Sequence, residues 1–417
     1  MANDMHLHPL VSSSSSMIFA IVLAFTPTLV HSLTLQSDVE VLQSLNGSID
    51  PNTISPSSYL TTWDFSADPC ESTGTRFLGI LCSTPSDNST SRIISLDLGG
   101  EGYDGFLTSD IGNLTELTSL DLSRNRFRGP LPNTLKNLKK LIHISVSGNF
   151  FTGSIAGWIH GLKNVERIDL SKNLLSGKIP ARISELRRLT HLSLSNNEFS
   201  DKIPDINGLW QLQTLELGSN KLVGRLPKLP TRLRTLTLSH NQLSGHITSL
   251  GVLEQLRSLD VSSNRFSGSI SRGILALPQL DHFNVSFNQL TAIEMNNSRG
   301  SSSPLQVLDV QRNHLQGHLP VKLVNFGSLA VINLAHNGLT GRIPMSYGRR
   351  LGRPWRTLFL DNNFLSGRLP PQFNSSTIRI RGSLAKNCLR CPVNIPLCRG
   401  GQRPASGCIG ESVTIGK

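Results

Sequence analysis

Short motifs that carry enzymatic chemistry are absent from this sequence. It contains no G-x-G-x-x-G with a kinase lysine, no H-R-D or D-F-G, no G-x-S-x-G and no H-E-x-x-H. These absences argue against protein kinase, α/β-hydrolase and zinc-protease chemistry. The sequence therefore predicts a protein that is not an enzyme, with no catalytic residue, no cofactor and no bound metal.

Cysteine is missing from the whole middle of the chain. An even number of cysteines clustered at both ends predicts disulfides formed in an oxidising compartment. Cys70 and Cys82 can only pair with each other, whereas the last four allow three pairings. A strained Cys388–Cys391 bridge is disfavoured, which leaves Cys388 with Cys398 or Cys408. A zinc or redox role for this C-x2-C is the weaker alternative, since no βαβ pattern surrounds it. The six cysteines are Cys70, Cys82, Cys388, Cys391, Cys398 and Cys408.

Apolar runs long enough to cross a bilayer are absent too. The longest, residues 17–25, is too short to span it, and small residues follow at 30–32. This pattern predicts a signal peptide over residues 1–32, although residues 1–16 lack Lys and Arg, so both Met1 and Met17 remain open as the start. The tail at 411–417 lacks a GPI signal. A secreted protein without a transmembrane segment is predicted.

What the sequence does contain is a repeat. The frame L-x-x-L-x-L-x-x-N, seen at Leu117–Asn125, recurs at steps of 21 to 26 residues up to Trp355–Asn363, and a first copy carries Glu101 in the Asn position. Such a period identifies a leucine-rich-repeat solenoid. The predicted fold is α/β: a right-handed solenoid of about twelve 24-residue repeats, with a parallel β-sheet on its concave face and end caps closed by disulfides.

The frame has a simple physical basis. Alternate side chains of a strand face opposite sides, so the two strand leucines point into a core that neighbouring repeats share. We therefore expect residues such as Leu215 and Leu259 to be fully buried. The Asn carboxamide both donates and accepts, so eleven stacked Asn residues are expected to form a ladder that pairs buried backbone groups.

The second half of each repeat reads L-x-G-x-I/L-P, as at residues 175–180 and 339–344. With this signature the chain resembles plant extracellular leucine-rich-repeat proteins: receptor-like kinase ectodomains, receptor-like proteins and polygalacturonase-inhibiting proteins. The resemblance implies four segments: the signal peptide 1–32, an N-terminal cap 33–91, the solenoid 92–384, and a Cys-rich C-terminal cap and tail 385–417.

The resemblance also implies function. It indicates a non-enzymatic extracellular module that binds a protein, peptide or polysaccharide ligand in plant cell-surface signalling, as a receptor-like protein or co-receptor of a membrane receptor kinase. The alternative is a secreted cell-wall protein that binds pectin or inhibits a pectin-degrading enzyme. The implied location is the apoplast and cell wall, or the outer face of the plasma membrane. Nucleic acid is not an expected partner in this compartment.

Candidate ligand-binding residues lie at outward positions of the strands. Acidic residues recur between the two strand leucines, and histidines occupy the preceding outward position, where they can tune binding in a mildly acidic space. A polar, solvated strand face without a ligand explains the same pattern. The candidates are Asp121, His143, Asp169, His191, Glu216, Asp260, Asp309 and Phe359.

Acidic residues are nearly absent from the C-terminal part of the chain. Residues 342–403 hold twelve basic residues and one acid, Asp361, so their net charge is +11, against +12 for the whole chain. Such a field attracts an anionic partner, for which pectic polyuronate, a membrane surface and an acidic protein are the options. The loop residues expected to contact this partner are Arg349, Arg350, Arg353 and Arg356.

Two local predictions concern the termini and the surface. Ser37 and Glu40 have the spacing of a capping box, which predicts the start of a helix at Ser37. Sequons for N-glycosylation occur at Asn46, Asn88, Asn113, Asn284, Asn296 and Asn374.

Overall fold

The computed structural model describes residues 33–71, 74–83, 89–295, 303–374, 379–392 and 394–408. The predicted signal peptide, the sequons at Asn88 and Asn296 and the tail beyond residue 408 lie outside these residues.

Within the described residues, one long sheet of 14 strands runs through the protein. Its first pair is antiparallel, and all later neighbours pair in parallel, one strand from each copy of the frame. The strands in spatial order are β1 (Ile80–Cys82), β2 (Ile93–Asp97), β4 (Ser119–Asp121), β6 (His143–Ser145), β8 (Arg167–Asp169), β10 (His191–Ser193), β12 (Thr214–Glu216), β14 (Thr235–Thr237), β16 (Ser258–Asp260), β18 (His282–Asn284), β20 (Val307–Asp309), β22 (Val331–Asn333), β24 (Thr357–Phe359) and β26 (Arg381–Ser383). We call the solvent-facing side of this sheet the concave face.

The buried side of the long sheet is the core that the frame predicts. Leu215 is 0% exposed and Leu259 is 1% exposed, which confirms that the strand leucines point inward. One continuous apolar cluster extends from Val41 to Cys398. Because each repeat shares its apolar side with two neighbours, no repeat is stable by itself.

The Leu215→Ala variant should lose about 2–5 kcal/mol of unfolding free energy, as large-to-small changes in a packed core do. Chemical denaturation would measure this loss. The matched control is Leu174→Ala, because Leu174 is 47% exposed. Equal losses in the two variants would contradict the assignment of Leu215 to the core.

The predicted asparagine ladder is present. In Asn149 the side-chain Nδ2 donates to the carbonyl oxygens of Leu122 (2.9 Å) and Val146 (3.0 Å), and the Oδ1 accepts from the backbone N–H of Phe127 (2.9 Å). Each ladder residue thus joins its own repeat to the preceding one. Glu101 does something different: its carboxylate accepts from the backbone N–H of Tyr59 in the N-terminal cap at 3.3 Å.

The ladder has one more member than the frame count predicts. Asn387 is 0% exposed, and its Nδ2 donates to the carbonyl oxygens of Leu360 (2.9 Å) and Leu384 (3.1 Å). Its strand, β26, pairs with β24. The frame does not mark this unit, because Arg379 and Gly382 replace its first two leucines.

The segments after the asparagines form two further parallel sheets. The 9-stranded sheet contains β3 (Asp104–Phe106), β5 (Arg126–Pro130), β7 (Phe150–Gly153), β9 (Leu174–Lys178), β11 (Glu198–Lys202), β13 (Lys221–Gly224), β15 (Gln242–Gly245), β17 (Arg265–Ile270) and β19 (Gln289–Ile293). The 4-stranded sheet contains β21 (Gln316–His318), β23 (Gly338–Gly341), β25 (Phe364–Arg368) and β27 (Cys388–Arg390). We call these the outer sheets.

Helices are few and short. The α-helices of the described residues are α1 (Gln36–Gly47), α2 (Arg272–Leu275) and α3 (Met345–Gly348). Single 3-10 turns lie in most repeats and in the segments at both ends of the solenoid: Pro51–Thr53, Tyr59–Thr62, Ser109–Asn113, Asn133–Asn137, Ile159–Gly161, Ala181–Glu185, Thr248–Val252, Val321–Asn325, Pro371–Asn374, Pro396–Cys398 and Ala405–Gly407.

The start of α1 differs from the capping-box prediction. Leu35, not Ser37, is the N-cap, and it makes no side-chain capping bond. The acidic residue that matters is Asp38, which is 0% exposed. Its carboxylate accepts from Arg92 Nε (2.9 Å) and Nη2 (3.1 Å) and from the backbone N–H of Ile93 (3.0 Å). The helix is thereby attached to the first repeat by a buried ion pair.

Both ends of the solenoid carry disulfides. Cys70 pairs with Cys82, as predicted. At the other end Cys388 pairs with Cys408 and Cys391 pairs with Cys398, which resolves the pairing that the sequence left open. All six cysteines are therefore paired.

Candidate ligand-binding site on the concave face

The predicted acidic column exists as a geometric row. Strand pairing places Asp97, Asp121, Ser145 and Asp169 beside one another, and the row continues through Glu216, Asp260, Asn284 and Asp309 to Phe359. The row follows from the frame, because the residue between the two strand leucines always faces out.

Several of these carboxylates also stabilise the turn after their strand. Asp121 Oδ1 accepts from the backbone N–H of Ser123 at 2.7 Å, and Asp169 Oδ1 accepts from that of Ser171 at 3.0 Å. Asp309 uses both oxygens, since Oδ2 accepts from Asn333 Nδ2 at 3.1 Å. Burial, with the charge of Asp260 as a smaller cause, raises the pKa of Asp309 despite these bonds. The acidic column is thus partly structural.

Five of the eight predicted ligand-binding residues line one groove. It has a volume of about 530 Å³ and lies across five neighbouring strands of the long sheet: β4, β6, β8, β10 and β12. Asp121, Asp169 and Glu216 form one side, and His143 and His191 lie at the preceding outward position. Of the other three, Asp260 and Asp309 lie further along the sheet, and Phe359 lines a smaller cleft of about 290 Å³ with His336 and Asp361.

Arg167 occupies the centre of this groove and was not among the predicted residues. It pairs in register with His143 on one side and His191 on the other. Its Nη1 lies 3.4 Å from His191 Nε2, while His191 Nδ1 lies 2.8 Å from Thr190 Oγ1. The groove therefore presents one permanent cation between two imidazoles, with three carboxylates beside them. The outward position of Arg167 in the frame was the signal that could have identified it.

We expect His191 to titrate below its ordinary value of 6.5. Burial, and then the Arg167 charge, lowers the pKa of His191, with Glu216 acting in the opposite direction. The pKa of His191 is lower in the folded state than in the unfolded state, so the unfolded state binds the proton first. The free energy of unfolding therefore decreases as the pH falls from above 6.5 to the folded-state pKa. An NMR titration of the His191 ring would measure this, and Arg167→Gln should raise the pKa. An unchanged pKa in Arg167→Gln would contradict this explanation.

A second cleft lies at the C-terminal end of the same sheet. It has a volume of about 710 Å³, with Leu351, Phe373 and Leu397 on its apolar lining. Three arginines also line it: Arg356, Arg379 and Arg381. Arg379 and Arg381 were not predicted as site residues, because they lie in the unit whose leucines are replaced.

The four predicted loop arginines do not all share this cleft. Arg356 lines it, whereas Arg349 and Arg353 lie exposed in the turn after α3. Arg350 is half-buried, and its backbone closes that turn by donating to Tyr347 O (3.0 Å) and accepting from Trp355 N (3.1 Å). An anion-binding role for these four residues remains a prediction.

The described sequons differ in exposure. Asn113 and Asn374 are exposed, and Asn46 is half-buried. Asn284 is half-buried on the concave face, where its Oδ1 accepts from the backbone N–H of Ser286 at 3.1 Å.

Across the part of the chain that the structure describes, no helix is long and apolar enough to span a membrane, and no group of three metal-ligating side chains comes together.

Comparison with known families agrees with the architecture. Models of the leucine-rich repeat match residues 150–199 and also residues 116–138, 232–253 and 255–277. Together with the stacked strands and the asparagine ladder, these matches show that the chain folds as a leucine-rich-repeat solenoid.

One relative is a plant receptor-like kinase. A segment of 122 residues is 36% identical to a probable leucine-rich-repeat receptor-like serine/threonine-protein kinase of Arabidopsis thaliana. It covers 27% of this chain and 13% of that kinase. No kinase motif occurs in this sequence.

Two solved structures extend the likeness over most of the solenoid. The PEPR1–AtPEP1 structure has a TM-score of 0.59 and 26% identity, covering 85% of this chain and 59% of that chain. The plant peptide hormone receptor RGFR1 in complex with RGF2 has a TM-score of 0.58 and 25% identity, covering 72% of this chain and 57% of that chain. The chain thus spans less than two thirds of the length of each of these relatives.

Proposed function

We propose that this protein is a receptor-like recognition module that binds an extended peptide along its concave face. The observation that carries the proposal is the groove around Arg167, where cationic, imidazole and carboxylate groups alternate on a rigid sheet. A peptide backbone offers carbonyl oxygens and N–H groups, and its side chains offer charges of either sign. Such a groove can satisfy both kinds of group at once.

The dimensions of the groove fit a short extended segment. Adjacent strands lie about 4.8 Å apart, so five strands span about 19 Å, which an extended peptide covers with about six residues at roughly 3.3 Å each. Rigid strands hold the side chains in place before binding, which reduces the entropy lost on association.

The comparisons favour a peptide over the pectic polysaccharide that the sequence left as an alternative. RGFR1 is by name a peptide hormone receptor in complex with RGF2. The fold is otherwise known as a ligand-binding module, which supports a non-enzymatic role. Six paired cysteines favour an oxidising, extracellular compartment. In the apoplast or at the outer face of the plasma membrane, a receptor kinase would be the signalling partner.

The test is peptide capture by the immobilised full chain. Peptides from plant extracellular fluid would be retained, eluted and identified by mass spectrometry, and then synthesised and titrated. Arg167→Glu should reduce the affinity of a captured peptide at least tenfold, because it reverses the central charge of the groove. Arg187→Glu is the matched control, since Arg187 is exposed outside the groove and undergoes the same charge change. Equal retention by Arg167→Glu and wild type would overturn the proposal.

A further inference from the structure

The outer sheet at the C-terminal end carries a second, separate concentration of charge. Arg368 ends β25 and Arg390 ends β27, and strand pairing sets these two residues directly beside each other. Arg342 follows β23, the next strand of the same sheet, and its side chain covers the backbone at Gly367. The three arginines line one cleft of about 610 Å³, which we call the outer-sheet cleft.

The charges of these three cations are not neutralised by any carboxylate of the described residues. Among the described residues, no ion pair includes Arg342, Arg368 or Arg390. The single acid of this region, Asp361, lies in the cleft with Phe359 instead, 3.8 Å from His336 Nε2. Like charges set side by side in a sheet destabilise it. The folded chain therefore holds an electrostatic cost at this site that an anionic group would remove.

Earlier repeats of the outer sheets show the contrast. Lys178 lies 2.8 Å from Asp201, and Lys221 lies 3.3 Å from Glu198. There a carboxylate from a neighbouring strand neutralises each lysine. At Gly341 and Gly367 the repeats carry glycine where an earlier repeat has Asp201, so the neutralising carboxylate is missing. What distinguishes the C-terminal end is that three such arginines line one cleft.

The outer-sheet cleft also exposes apolar surface. Met345, at the start of α3, is 60% exposed, and Pro344 and Leu369 lie half-buried beside it. Arg and Met are both enriched at protein interfaces, and Arg is a frequent contributor of binding energy there. A mineral phosphate or a polyuronate would use the arginines but would leave Met345 uncovered.

We propose that the outer-sheet cleft is the docking surface for an acidic segment of a partner protein. Carboxylates of that segment pair with Arg342, Arg368 and Arg390, and an apolar side chain between them covers Met345. The surface belongs to a different sheet from the groove around Arg167. A ligand on the concave face and a protein on the outer sheet can therefore be bound at the same time.

Fluorescence anisotropy with two synthetic peptides tests this on the full chain. One labelled peptide is rich in glutamate with a central leucine, and the other has serine in place of leucine. Wild type should bind the leucine peptide several-fold more tightly, and added salt should weaken both, since exposed charges are screened within about 8 Å at physiological ionic strength. The Met345→Ser variant should bind both peptides equally.

The decisive comparison uses two triple variants with the same change in net charge. Arg342→Gln/Arg368→Gln/Arg390→Gln should weaken binding of the leucine peptide at least tenfold, without lowering Tm, because like charges are removed. Arg356→Gln/Arg379→Gln/Arg381→Gln, in the concave cleft, should leave it unchanged. Equal weakening in both would show attraction by net charge alone and would overturn the proposal. Binding of polygalacturonate through the same three arginines, with no effect of Met345→Ser, would replace the protein partner by a polysaccharide.

Discussion

The Asn288→Ala variant is expected to lose about 3–5 kcal/mol of unfolding free energy, because four buried hydrogen bonds lose their partner at once. Asn288 Nδ2 donates to the carbonyl oxygens of Val261 (3.0 Å), Val285 (3.1 Å) and Ser286 (3.1 Å). Its Oδ1 accepts from the backbone N–H of Phe266 at 2.9 Å. The asparagine is 6% exposed, so water reaches the vacated groups poorly.

Urea denaturation of wild type and variant would measure this loss. The matched control is Asn207→Ala, since Asn207 is exposed and only its backbone N–H makes a hydrogen bond in the structure. We expect the control to stay within about 0.5 kcal/mol of wild type. A loss below about 1 kcal/mol at Asn288 would mean that water replaces the carboxamide and that the ladder is not a main source of stability.

The Asp38→Ala variant is expected to destabilise the N-terminal end by about 3–5 kcal/mol, the usual effect of removing one partner of a buried ion pair. The substitution leaves the Arg92 guanidinium and the Ile93 N–H without their acceptor, although the Arg92 side chain keeps 21% exposure and one bond to Thr115 Oγ1 at 3.1 Å. Hydrogen exchange should show faster exchange in α1 and β2, with the central repeats unchanged.

The same experiment separates two explanations of how α1 is held. If the capping box stabilised the helix, Ser37→Ala and Glu40→Ala would be the damaging variants. The structure places Glu40 on the surface, where its carboxylate accepts from Gln36 Nε2 at 3.4 Å. We therefore expect both variants to remain within about 0.5 kcal/mol of wild type. A larger loss at Glu40 than at Asp38 would contradict the ion-pair explanation.

Much of the architecture was predictable because the frame reports burial directly. A leucine that must face the core and an asparagine that must pair buried backbone recur in every unit, so the long sheet and the ladder follow from spacing alone. The prediction stopped one unit early at Asn387, since Arg379 and Gly382 do not look like core positions. The parallel pairing of β26 with β24 shows that this unit stacks on the preceding repeat.

The binding surfaces were predictable in position but not in membership. The outward positions of the strands could be identified, and His143 and His191 were selected by residue type. Residue type did not indicate Arg167, because the predicted residues were mainly acids and histidines. Strand pairing nevertheless places Arg167 between those two histidines. Likewise, the sequence predicts one basic surface patch formed by residues 342–403. The structure divides it between the concave cleft at Arg381, the outer-sheet cleft at Arg368, and structural uses such as Arg403, which lies 4.4 Å from the Phe364 ring.

The sequence by itself determined the repeat register, the buried leucines and asparagines, and the sign of the charge at the C-terminal end. These properties are local, because each is set by residue type and by spacing within one unit. Only the tertiary structure decided which charges are neutralised. Lys178 forms an ion pair with Asp201 on the next strand, whereas Arg368 lies beside another arginine, Arg390, on its neighbouring strand. Neighbours of this kind come from different repeats, and their side chains meet only when the units stack.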